Sequence, residues 1–164
     1  MTNPADRTLG TLVAEVPGAR LVRGSPDTVV QALEYDSRQA KQGSLFIAVP
    51  GFVTDGHPYL PQVAAAGAAA AIVQADHVDS HLVLPETLAL VSVPATRPAQ
   101  ASAAAWFYGH PGREMVVIGV TGTDGKTTTS HLLTSVLEAA GGRVGRLGTV
   151  DTYFPGESGK VTDR

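Results

Sequence analysis

An apolar run, a glycine-rich turn and a helix-patterned segment follow one another between Met115 and Ala140, and this order constrains the chain more than any other feature. Residues 115–120 read as a strand. Residues 126–140 read as a helix with Leu132, Leu133, Val136, Leu137 and Ala140 on one core-facing stripe, and residues 144–150 as a final strand. The connecting glycines let backbone amides curl around an anion, and the helix start adds unsatisfied N–H groups and a favourable dipole. Gly122, Thr123, Asp124, Gly125, Lys126, Thr127 and Thr128 are therefore the candidate nucleotide-binding residues. Lys126 would reach the terminal phosphates as the catalytic cation. The Thr127 hydroxyl would be the metal ligand, so the pattern implies ATP and Mg2+.

The usual phosphate loop places its first glycine five positions before the glycine of Gly-Lys. Val120 stands there, so the match is to a shortened G-x-x-G-K-T form. An ordinary strand-to-helix turn that happens to contain Lys and Thr is the alternative. Asp124 opposes phosphate unless it points away or faces the metal.

Upstream, short apolar segments alternate with helical ones. Helices are expected over residues 8–16, 57–66 and from Pro94 to the Trp106-Phe107-Tyr108 end, and strands over 29–35, 44–49, 69–73 and 88–93. Asp55 is placed to cap the second helix, where Pro58 and Pro61 fit because first-turn amides lack intrahelical partners. This alternation predicts an α/β fold. A charged fraction of 16% with a net charge of −3 and no basic stripe gives no electrostatic case for nucleic acid. The absence of cysteine excludes disulfide and thiol chemistry. No apolar run is long enough to span a bilayer, and residues 1–7 lack the core of a signal peptide, so a soluble cytoplasmic protein is expected.

Two further segments follow strands. In Asp36-Ser37-Arg38 and in residues 51–57, Ser37 and Thr54 could hydrogen-bond a diphosphate or ribose, and Phe52 could cover a base. Turn chemistry and capping explain the same residues equally well. His77 and His81, four apart beside Asp76 and Asp79, could share a metal on a helix, but a solvated loop suits so short and irregular a stretch better. The Trp106-Phe107-Tyr108 cluster reads as interdomain packing.

Taken together, Tyr35-Asp36-Ser37-Arg38, residues 43–49, Gly51 with Thr54-Asp55-Gly56-His57, Phe107-Tyr108-Gly109-His110-Pro111 and residues 119–129 resemble the Mur ligases, specifically the UDP-N-acetylmuramyl-tripeptide synthetase (MurE) type. The resemblance implies an ATP-dependent amide ligase of peptidoglycan precursor synthesis. In that reaction an amino acid joins UDP-N-acetylmuramoyl-L-Ala-D-Glu through an acyl phosphate. It implies contacts from Tyr35, Ser37, Phe52, Val53 and Thr54 to the UDP portion. Asp124 departs from the Asn common in the family.

The implied organisation is a mixed-sheet UDP-substrate domain over residues 1–108, a linker over 109–113, and the first β-α-β of an ATP-binding domain over 114–164. The later metal-binding residues, the carbamylated lysine and the amino-acid-binding third domain have no counterpart, so the chain is expected to be an N-terminal piece without ligase turnover. A ligase adding the terminal dipeptide (MurF type) and a non-catalytic nucleotide-binding module are the competing readings.

Overall fold

The computed structural model describes residues 7–51, 54–78 and 84–155. The chain divides into two compact units, residues 1–115 and 116–164.

The first unit begins with a short helix, α1 (Leu9–Glu15), which Thr8 caps by accepting the Thr11 amide. Leu9 and Leu12 are wholly buried on its inner side. Strands β1 (Arg20–Arg23), β2 (Ala32–Glu34), β3 (Ser44–Ile47), β4 (Ala70–Gln74) and β5 (Ala89–Val93) form one sheet in the order β1-β5-β4-β3-β2. Strands β2 to β5 run parallel, and β1 pairs antiparallel with β5. The sheet is therefore mixed, as expected. β1 was not anticipated: four residues alternating between exposed and half-buried, on a sheet edge, carry too little apolar signal to stand out.

The central strands are buried at nearly every position, the signature of a parallel sheet covered on both faces. Alternate residues separate the two cores. Leu45, Ile47, Ala70, Ile72, Val91 and Val93 face α1 and α3 (Thr96–Tyr108), whereas Phe46, Ala48, Ala71, Val73 and Leu90 pack with Leu60 and Val63 of α2 (Leu60–Ala65). A 3-10 turn, His57–Tyr59, precedes α2, so the helix expected from His57 is tighter in its first turn.

Trp106 and Phe107 correct an expectation. Both are buried in the first unit's own core, and the Trp106 indole N–H donates to Thr11 Oγ1 at 3.1 Å. They hold α3 to α1 within the first unit. Gly109 ends α3 in the left-handed conformation, at φ +74°, and His110 follows at φ +56° with its ring against Glu15 at 2.6 Å.

The second unit contains α4 (Lys126–Ala139) and a two-residue antiparallel hairpin, β6 (Arg146–Leu147) with β7 (Thr152–Tyr153). Arg146 braces this hairpin through Asp151 at 2.7 Å. Two expectations fail here. Residues 115–120 are not a strand, because among the described residues no segment offers them a ladder, and Val116 is 89% exposed. Residues 144–150 contribute only the short β6, so the expected β-α-β reduces to a helix and a hairpin. The apolar stripe of α4 is likewise uncovered: Leu132 and Val136 are exposed, and Thr134 is the buried residue of the helix.

Limited proteolysis should therefore cut within residues 109–120. Trimming should leave a first-unit fragment that keeps Trp106 buried, read by mass spectrometry and a blue-shifted tryptophan emission. Cutting first within residues 44–74 would contradict this.

Candidate functional site

Parallel strands β2 to β5 bring their carboxyl ends to one edge of the sheet, where open α/β sheets bind ligands. Tyr35 to Ser37 lie beyond β2, and the segment from Pro50 to His57 lies beyond β3. Parallel pairing of β2 with β3, Glu34 opposite Phe46, sets these two segments side by side. Tyr35 is 71% exposed and offers an open aromatic ring. Ser37 opens a 3-10 turn, Ser37–Gln39, capped by Asp36, which accepts the Arg38 amide at 3.0 Å. Asp36 also grips the Arg38 guanidinium, with its closest contact at 2.7 Å. That hydrogen-bonded cation holds the Asp36 carboxyl below its ordinary range.

Beyond β3 the chain doubles back tightly. Pro50 and Asp55 form an antiparallel bridge, and the Gly51 amide donates to the Thr54 carbonyl at 2.9 Å. A side chain at Gly51 would meet that carbonyl at 2.6 Å, so glycine is a steric requirement. Thr54 is exposed beside the bend. Phe52 and Val53, the other residues expected to touch UDP, lie outside the described residues.

The loop's root is His57, which sequence reasoning left without a role. It is 1% exposed. Its Nε2 accepts the Gln74 amide at 3.1 Å and its Nδ1 lies 2.6 Å from Asp55 Oδ1, which puts the ring proton on Nδ1. The segment after β3 is thereby tied to the end of β4. Partial burial alone would raise the Asp55 carboxyl. The hydrogen bonds from the His57 amide and ring outweigh it and hold the carboxyl below its usual range. The Asp55-His57 spacing, two residues apart at a capping position, was the signal available.

Asp55, His57 and His77 each place one ligand atom within 4.8 Å of the others, a composition that could suit a divalent ion. The geometry does not suit one. The two imidazoles stack with centroids 3.8 Å apart at 17°, so their in-plane lone pairs cannot converge on a shared ion, and both His57 nitrogens are already engaged. His77 Nδ1 pairs with Asp76 at 2.8 Å, and its Nε2 lies 3.5 Å from Asp55 Oδ2. His81 and Asp79, considered with it from sequence, lie outside the described residues.

In the second unit, Gly122 and Gly125 take φ values of +148° and +74°, and Gly125 caps α4 with no side-chain bond to the helix amides. A Cβ at Gly125 would meet nothing within 4 Å, so the turn is an open cradle before an uncapped helix start. Lys126 folds back over it, with Nζ 2.5 Å from the Gly122 carbonyl and 3.1 Å from that of Thr123. Thr127 and Thr128 follow in the first turn, and Thr123 and Asp124 are exposed on the loop. The residues fit a phosphate.

Residues 29–108 match the model of the Mur ligase family's catalytic domain, and residues 120–162 match that of the Mur ligase middle domain. The chain belongs to the Mur ligase family. Among curated Mur ligases, it is 48% identical over 122 residues to a UDP-N-acetylmuramyl-tripeptide synthetase of Roseiflexus sp. (strain RS-1), covering 74% of this chain and 23% of that protein. It is 43% identical over 145 residues to a UDP-N-acetylmuramoyl-L-alanyl-D-glutamate–2,6-diaminopimelate ligase of Geobacillus thermodenitrificans (strain NG80-2), covering 88% and 28%. The chain thus spans about a quarter of the length of the curated relatives it matches. Among solved structures, a crystal structure of MurF from Acinetobacter baumannii superposes with a TM-score of 0.58 at 27% identity, covering 90% of this chain and 30% of that one. A diaminopimelate ligase structure reaches a TM-score of 0.62 at 18% identity, a likeness of fold.

Proposed function

We propose that this Mur ligase chain carries the nucleotide-sugar site and the ATP loop of a cytoplasmic ligase that adds an amino acid to UDP-N-acetylmuramoyl-L-Ala-D-Glu in peptidoglycan precursor synthesis. The observation that carries the reading is the pairing, in one chain, of a braced loop at a parallel sheet's carboxyl edge with an open glycine cradle at a helix start. The identity to tripeptide synthetases supports the amino-acid-adding reaction. The likeness to MurF favours, as a second reading, addition of a dipeptide to the longer nucleotide-peptide.

In this reading the exposed ring of Tyr35, the Ser37 hydroxyl and the Thr54 side chain hold UDP, together with Phe52 and Val53. The amides of residues 122–128 and the Lys126 ammonium hold the triphosphate, and the Thr127 hydroxyl would hold magnesium. ATP supplies the phosphoryl group that activates the substrate carboxylate. Lys126 exchanges its loop carbonyls for phosphate oxygens, and the loop positions rather than reacts.

Calorimetric titration with UDP-N-acetylmuramoyl-L-Ala-D-Glu tests the first half. Ser37→Ala should weaken binding about fivefold, the worth of one neutral hydrogen bond of roughly 1 kcal/mol, with unchanged thermal stability. Equal affinity in the variant would remove Ser37 from the site.

A further inference from the structure

The internal bonds of the segment after β3 close it on itself but leave its direction over the sheet undetermined. Gly51 donates to Thr54, Pro50 bridges Asp55, and the Gly56 amide donates to the Val49 carbonyl at 3.2 Å. The His57 tie to Gln74 fixes the trailing end alone. The leading end has a separate tie. Arg97, in the first turn of α3, donates through Nη2 to the Pro50 carbonyl at 2.9 Å.

This contact crosses the sheet. Arg97 follows β5 and Pro50 follows β3, and β4 lies between them. The bond therefore links the chain after one strand to the chain after another that is not its neighbour. A solvent-exposed arginine committed to a backbone carbonyl contributes little to burial but fixes a direction.

We propose that Arg97 is a positioning residue of the nucleotide-sugar site, holding the Pro50 carbonyl so that Thr54, bonded to Gly51 just beyond it, faces the ligand. This role rests on the reading of that edge as the UDP site. It assigns α3 a function beyond packing against α1, and it makes the site a three-strand structure built from the ends of β2, β3 and β5.

Two readouts on the 164-residue chain separate the role from the reading beneath it. In Arg97→Ala, amide exchange at Gly51 should accelerate about tenfold, while Gln74, tied through His57, keeps its rate. UDP affinity by calorimetry should fall about tenfold with the thermal midpoint unchanged, and Arg97→Lys, which keeps reach and charge, should recover part of both losses. Unchanged Gly51 exchange in Arg97→Ala overturns the clamp. Lost UDP affinity without a change at Gly51 also overturns it, because the arginine would then touch phosphate directly. Failure of the wild-type chain to bind UDP overturns the assignment of the edge, while Gly51 exchange still decides whether Arg97 fixes the loop.

Discussion

His57→Ala should destabilise the first unit by about 3 kcal/mol, combining a buried amide left without an acceptor with the cavity the ring leaves behind. The Gln74 amide is the group orphaned, and Asp55 loses its shortest partner. His57→Phe separates the two causes, because it fills the volume and satisfies neither neighbour. It should recover less than half of the loss if hydrogen bonding dominates, as the 1% exposure of the ring implies. Urea unfolding followed by tryptophan fluorescence measures both variants cleanly. The chain has one tryptophan, Trp106, and it is buried in the first unit's core, so the signal reports that unit alone. The midpoint should fall at an unchanged slope. A loss below 1 kcal/mol for His57→Ala would show that Asp55 and the loop hold without their anchor.

That anchor also shows where the sequence was legible. Strands β3, β4 and β5 are nearly continuous apolar runs flanked by Gly and Pro, so their identity and parallel pairing followed from composition and spacing. The segments after β2 and β3 could be placed at the ligand edge for the same reason. His57 was opaque because a buried histidine and a solvated one look alike until the strand it reaches, β4, is known to lie beside it. Arg97 was opaque for a related reason: its partner is 47 residues away, and nothing local in an alanine-rich helix marks a residue for a carbonyl two strands over. Residues 115–120 fail in the opposite sense. Their apolar pattern states a strand correctly as a propensity, but a strand exists only when another segment completes its ladder. The stripe on α4 is the same case in helical form, amphipathic by sequence and exposed in the structure.

On the proposed ligase reading, Lys126→Ala, placed in a Mur ligase that includes this segment, should lower ATP-dependent amide formation by about a hundredfold to a thousandfold, the scale for removing one preorganised charge from a transferring phosphoryl group. The structure adds a reason specific to this loop. With Nζ on the Gly122 and Thr123 carbonyls, Lys126 also occupies the mouth of the cradle with its own charge, against the backbone dipoles that would otherwise face an anion. Alanine removes both the proposed phosphate partner and this brace. Lys126→Arg keeps the charge, but its planar fork cannot reproduce a compact ammonium seated on two carbonyls of a four-residue turn, so it should recover little turnover. Steady-state kinetics distinguish the roles. If Lys126 acts chiefly on the transferring group, kcat falls and the KM for ATP moves little. If it serves mainly to brace the loop, Lys126→Arg and Lys126→Ala should both raise KM for ATP with kcat near the wild-type value. Retention of full kcat/KM in Lys126→Ala would remove this turn from phosphate chemistry altogether and leave it as a strand-to-helix connection containing a lysine.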